Sequence, residues 1–181
     1  MNLDILLEII KFLDNDIIIT GSVADYFLID FKDVRDFDFF MSRSSFLKIF
    51  NVKTLHNRSI LKKDMYLLQC WGYQTLHTID ENFELKKITN ALVYRGHYKH
   101  IDNKIDIIIL TDVDYPKTYN EINIKNQTLK VMPPKERFAS LSGPQFKKII
   151  PKNYTEVDQE KKILRYKERV NLYKMKYQEY I

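Results

Sequence analysis

Between residues 36 and 41 the chain reads Asp-Phe-Asp-Phe-Phe-Met, and this alternation of acid with aromatic constrains the fold more than any other feature. Residues i and i+2 of a strand point to one face, so Asp36 and Asp38 are expected to project together while Phe37 and Phe39 enter a core. Carboxylates held side by side repel one another unless cations sit between them. The apolar neighbours Phe37, Phe39, Phe40 and Met41 argue against an ordinary solvated edge. A second run, Ile105-Asp106-Ile107-Ile108-Ile109-Leu110, is apolar except for one acid. A lone aspartate in a buried strand is costly unless it is paired or metal-bound.

Glycine is scarce, with four in 181 residues, where average usage would supply about a dozen. Each is therefore expected to be placed for a backbone reason, and Gly21 is the informative one. Ile17, Ile18 and Ile19 predict a short buried strand ending in Thr20 and Gly21. Residues 22–29 then predict a helix, with Ser22 able to cap it and Val23, Ala24, Phe27 and Leu28 on its inner side. A strand, a glycine bend and a helix amino end together present N–H groups to an anion such as a triphosphate. Oxygen-rich acid clusters suit Mg²⁺, which takes one or two carboxylates plus water and phosphate oxygens. Three carboxylates from two adjacent strands would hold two ions roughly 3.5–4 Å apart, one activating a hydroxyl and one stabilising departing pyrophosphate.

Gly21-Ser22, then Asp36-Phe37-Asp38-Phe39, then Ile105-Asp106-Ile107 resembles the nucleotidyltransferase superfamily of DNA polymerase β, poly(A) polymerases, CCA-adding enzymes, antibiotic nucleotidyltransferases and toxin-type members. The resemblance covers residues 17–110, with a weaker echo at 129–141, and Thr20 departs from it by standing where an apolar residue is usual. It implies an α+β fold, a nucleotidyltransferase-like mixed β-sheet with helices packed on it. It implies that Gly21 and Ser22 bind nucleotide phosphates, with Arg35 and Lys32 as further phosphate contacts. Asp36, Asp38 and Asp106 would be the catalytic acids and metal ligands, for two Mg²⁺ ions with Mn²⁺ as an alternative. Asp106 would also assist deprotonation of the acceptor; Asp102, Asp112 and Asp114 remain alternatives for the third acid.

Elsewhere, helices are expected at 4–13, 43–50 and from Pro134 to Leu141, and strands at 65–71, 73–79, 91–100, 104–110 and 126–132. Gly72 would join two of these strands, Gly96 would mark a bulge, and 56–64 reads as loop or short helix. A long final helix spans 155–180, opened by Thr155 and Asp158, with Ile163, Tyr166, Val170, Tyr173, Tyr177 and Tyr180 as its docking stripe. The division is then a catalytic domain over 1–144 and a basic helical extension over 145–181 packed on the same core.

Charge supports that division. Up to Pro144 the chain balances nineteen Lys and Arg against nineteen Asp and Glu, while residues 145–181 carry ten against five. The whole excess of +5 sits in the final segment, a hint of a polyanionic partner. Lys162, Arg165, Arg169 and Lys176 fall away from the docking stripe and are candidate nucleic-acid contacts. His97 and His100 would lie on opposite faces, and Cys70 reads as core; a single cysteine forms no internal disulfide. Asp4 and Glu8 in the opening apolar stretch are unlike a secretory leader, and no run is long and apolar enough for a membrane helix. A cytoplasmic, ATP- or other NTP-dependent transferase acting on RNA such as tRNA is the resulting expectation. A protein or small-molecule acceptor, a toxin-type or antibiotic-modifying enzyme, and an inactive nucleotide- or nucleic-acid-binding relative are its alternatives.

Overall fold

The apolar patterns resolve into helices and strands over residues 1–13, 16–55, 60–63, 66–79, 85–98, 104–142 and 155–178, the parts of the chain that the computed structural model describes. In chain order they are α1 (Leu3–Phe12), β1 (Ile17–Thr20), α2 (Gly21–Ile29), β2 (Phe37–Ser42), α3 (Arg43–Ile49), β3 (Ile60–Lys63), β4 (Tyr66–Ile79), β5 (Leu85–Tyr98), β6 (Lys104–Leu110), β7 (Asn120–Ile124), β8 (Gln127–Val131), α4 (Pro134–Ser142) and α5 (Glu156–Lys176). The described strands form one mixed sheet in the order β3-β4-β5-β6-β2-β1-β8-β7. β2 runs parallel to β6 and antiparallel to β1, and β5 runs antiparallel to β6. The architecture is α+β with a C-terminal helix, as expected.

Local chemistry starts the helices where it should. Asn2 Oδ1 accepts from the amides of Asp4 and Ile5 at 3.1 and 3.3 Å, opening α1, and Ser42 Oγ accepts from Ser45 N at 3.2 Å, opening α3. Thr155 does the same for α5 by accepting from Asp158 N at 3.2 Å. Helix α2 differs: its cap Thr20 offers no side-chain hydrogen bond, and the Thr20 hydroxyl lies instead against Met132 Sδ at 3.5 Å. Ser22, expected as a cap, donates to the Asp36 carbonyl at 3.3 Å and so ties the start of α2 to the start of β2.

Both faces of the sheet's centre are covered. One face carries Phe37, Phe39, Ile105, Ile107 and Tyr94 against Leu6, Ile9, Val23, Leu28 and Phe46 of the helices. The other holds a smaller cluster of Ile18, Phe40, Ala91, Leu110 and Met132. Burying an aromatic or aliphatic side chain of this size stabilises by roughly 1.5–3 kcal/mol. Every residue of β2 is buried except Asp38, which is half-buried. A strand locked on both faces holds that carboxylate in a fixed place.

Several boundaries differ from expectation. The strands at 65–71 and 73–79 are one continuous β4, because Gly72 (φ 93°) sits in a bulge within the strand and not in a turn. Gly96 is regularly paired, so the irregularities fall at Cys70/Gly72 and Gln74/Leu76. Part of the stretch expected as loop or short helix is β3, and β8 has an unforeseen partner in β7. The expected turn at 101–103, with His56, His100 and Tyr180, lies outside the described residues. Among the described residues no helix is long and apolar enough to cross a membrane.

Candidate active site

Strand register assembles the acids. Asp38 of β2 is paired with Asp106 of β6, and Asp106 in turn with Arg95 of β5, so three charged residues stand level on adjacent strands. Residues directly opposite in a sheet share a face. Asp36 lies just before β2, at a bend, and not within the strand as expected. It still bears on the site electrostatically. Burial, then the Asp106 and Asp36 carboxylates, push the Asp38 carboxyl up to about 7, with Arg137 and Arg95 opposing only in part. All three acids are thus close enough to repel.

Gly21 is shaped by the same cluster. Its backbone is left-handed at φ 62°, and a Cβ built on it would fall 1.9 Å from Asp38 Oδ2. Any side chain there would be strained and would displace the carboxylate. The glycine is what lets the α2 amino end and Asp38 meet.

Gly21, Ser22, Arg35, Asp36, Asp38 and Arg95 line a cavity of about 510 Å³ whose far wall is α5. Eight Lys and Arg side chains against three carboxylates form its lining; five of the eight are ion-paired with Asp25, Asp33 or Asp106 behind it, which leaves a modest cationic excess. Lys162 and Arg165 are in that wall as candidates from sequence, joined by Lys161 of α5 and, from β6, by Lys104, neither of which sequence reasoning singled out. Burial, then Arg169, lowers the Lys162 pKa from its ordinary value. Arg165 ion-pairs with Asp33, and Arg35 also reaches Asp33, at 3.2 Å. Lys32 is a correction: it is exposed, pairs with Asp30 and lies outside the cavity lining. Lys176 is exposed at the far end of α5, beside Tyr177.

Arg169 lines the cavity too, but its placement differs from expectation. It is only 6% exposed and turns inward with the docking stripe, while Ile163, expected to dock, is 41% exposed. Its Nη1 donates to Asp25 Oδ2 at 2.8 Å. Asp25, fully buried on α2, also receives two bonds from Arg137 of α4, both at 2.8 Å, and one from the Tyr173 hydroxyl at 3.0 Å. Burial alone would raise the Asp25 pKa, but Arg137 and Arg169 together outweigh it and hold it below its ordinary 3.8. This knot joins α2, α4 and α5. An aspartate between Ala24 and Tyr26 in an otherwise apolar helix was the available signal for it.

The third acid is likewise engaged. Arg95 Nε donates to Asp106 Oδ1 at 2.6 Å and Arg95 Nη2 donates to Asp106 Oδ2, a two-pronged pair. Asp112 accepts from Ser44 at the opening of α3, and Asp114 accepts from Thr111, so neither alternative faces the cluster; Asp102 lies outside the described residues. Among the described residues no group of three or more His, Cys, Asp and Glu is arranged to hold a metal ion. Asp36 and Asp38 fit one Mg²⁺ completed by substrate phosphates, since hard cations take carboxylate oxygens and a cation there would offset the burial and the Asp106 and Asp36 repulsion that raise the Asp38 pKa. Asp106 fits a second ion poorly, because Arg95 already places a positive charge against both of its oxygens and its side chain is only 11% exposed.

No family model and no curated protein matches this chain.

Proposed function

We propose that the chain is a nucleotidyltransferase-like enzyme that moves a nucleoside monophosphate from an NTP to an acceptor hydroxyl and releases pyrophosphate. One observation carries this reading: Asp36 and Asp38 crowd a cationic cavity beside a glycine bend that no other residue could occupy without displacing Asp38. A polyanionic cavity floor would be useless for a polyanionic ligand. A cationic one with two acids at its base suits a metal–triphosphate.

In this reading Asp36 and Asp38 hold one Mg²⁺, which when bound neutralises phosphate charge and assists departure of pyrophosphate. Gly21 and the uncapped start of α2 bring backbone N–H groups to the phosphates, and Ser22 keeps that helix end registered on β2. Arg35 flanks the acid pair. Lys104, Lys161 and Lys162 lie on the cavity wall and favour a polyanionic acceptor such as RNA over a cationic antibiotic. The helices and mixed sheet support the same family-like fold, with α5 closing the cavity.

The test is pyrophosphate release from labelled NTPs with Mg²⁺ and total cellular RNA. Asp36→Ala and Asp38→Ala are expected to abolish turnover with circular dichroism unchanged; full turnover in both variants rejects the reading. A second reading, a nucleotide-binding relative without turnover, is favoured by the Arg95–Asp106 pair, which ties up the acid expected to deprotonate the acceptor. Calorimetry showing Mg²⁺-dependent NTP binding with no pyrophosphate from any acceptor would select it.

A further inference from the structure

We infer that Arg95 is a built-in counter-cation standing where a second metal ion would act, so that the chain binds one divalent cation, at Asp36 and Asp38, and none at Asp106. The inference rests on the metal-dependent reading above and departs from the two-ion arrangement that three neighbouring acids would otherwise suggest.

Three observations place a permanent positive charge there. The β2-β6-β5 register sets Arg95 level with Asp106 and Asp38 on one face, so the pairing is imposed by the sheet's backbone ladder. Both Asp106 oxygens accept from the guanidinium, whose planar fork matches a carboxylate and does not lose its proton. The guanidinium is also held from a second side, its central carbon 4.4 Å from the centre of the Trp71 ring. Trp71 falls in the bulge between Cys70 and Gly72, where β4 has an extra residue against β5. Bulges of this kind re-aim a side chain, and here the re-aimed side chain is the one stacked on Arg95. The Asp106 side chain is 11% exposed, which leaves little surface for a hydrated ion to reach. A metal at Asp106 would have either to displace the guanidinium or to bind beside it on the remaining lone pairs, against its positive charge.

A guanidinium and a divalent ion answer the same need differently. Each offsets the repulsion between Asp38 and Asp106, but the guanidinium does so at every metal concentration and cannot coordinate and activate a hydroxyl as a metal ion does. A chain built this way needs divalent metal only for its Asp36–Asp38 pair.

Mn²⁺ titration followed by electron paramagnetic resonance of the free ion counts sites without any turnover. One Mn²⁺ per wild-type chain is expected, lost in Asp36→Ala and Asp38→Ala and kept in Asp106→Asn. Arg95→Gln is expected to take up a second Mn²⁺, while Arg95→Lys, which keeps the charge, stays at one. Should the variants fail to fold, anomalous scattering from wild-type crystals soaked in Mn²⁺ decides: one peak at Asp36 and Asp38 is expected, with none at Asp106. Two ions in the wild type, one of them on Asp106, or a count of one in folded Arg95→Gln, overturn the inference and leave nucleotidyl transfer standing. No bound Mn²⁺ at all removes the metal-dependent reading as well.

Discussion

Two clusters of aspartate and arginine meet α2, one at its start and one at its middle, and they treat charge in opposite ways. Around Asp25, one carboxylate receives four hydrogen bonds from Arg137, Arg169 and Tyr173, and its pKa is lowered. Around Asp38, three carboxylates meet with one paired arginine among them, and the Asp38 pKa is raised to about 7. Asp25 itself is fully buried, with Arg137 and Arg169 reaching from it to the cavity wall at 7% and 6% exposure, whereas Asp38 lies directly on the cavity. The contrast separates a charge network that holds elements together from one left incomplete for something else to complete. Perturbed carboxylates in clefts are where function concentrates.

Removing the centre of the Asp25 cluster should have the largest effect. Asp25→Asn leaves two buried guanidinium groups facing a neutral amide and is expected to cost about 3–5 kcal/mol of stability in urea unfolding. Because the folded Asp25 pKa is depressed, its contribution is present above pH 3.8 and lost as pH falls through the lower folded value. The variant should lack that acid-dependent component; equal loss of stability in both proteins on acidification would break the comparison.

Neutralising the Asp38 cluster should act with the opposite sign. Asp38 has a folded pKa above its unfolded value, so without metal its charge costs stability as pH rises from about 4 to about 7. In metal-free protein, Asp38→Asn is expected to stabilise by on the order of 4 kcal/mol at pH 8 and by almost nothing near pH 4. A melting temperature at pH 8 that falls would show that Asp38 is structural, like Asp25. Gly21→Ala should come next, costing about 1–3 kcal/mol from the left-handed backbone while pushing the Asp38 carboxylate away, so thermal melts and Mn²⁺ affinity should decline together. Smallest is Lys32→Ala: with an exposed partner outside the cavity, it should leave melting temperature and NTP affinity unchanged.

What could be read along the chain was whatever local periodicity controls. Asp38 and Phe39 on opposite faces, the glycine after three isoleucines, Thr155 opening α5 and Pro134 opening α4 all follow from neighbours a few residues away. Long-range pairing escaped it. Arg95 is one cation among twenty-nine until the β5–β6 register sets it opposite Asp106, and Arg137 meets Asp25 across 112 residues. Arg169 misled because a helical stripe identifies a docking face by apolar residues alone, whereas this face also buries a guanidinium against Asp25.

The amino-acid order by itself therefore determined most of the elements, the acids at 36 and 38 and the need for glycine at 21, since these depend on side-chain alternation and backbone sterics over short distances. Only the tertiary structure decided which acids are balanced and which are not. Coulombic balance depends on distance in space and on burial, and both arise when strands and helices from remote parts of the chain come together.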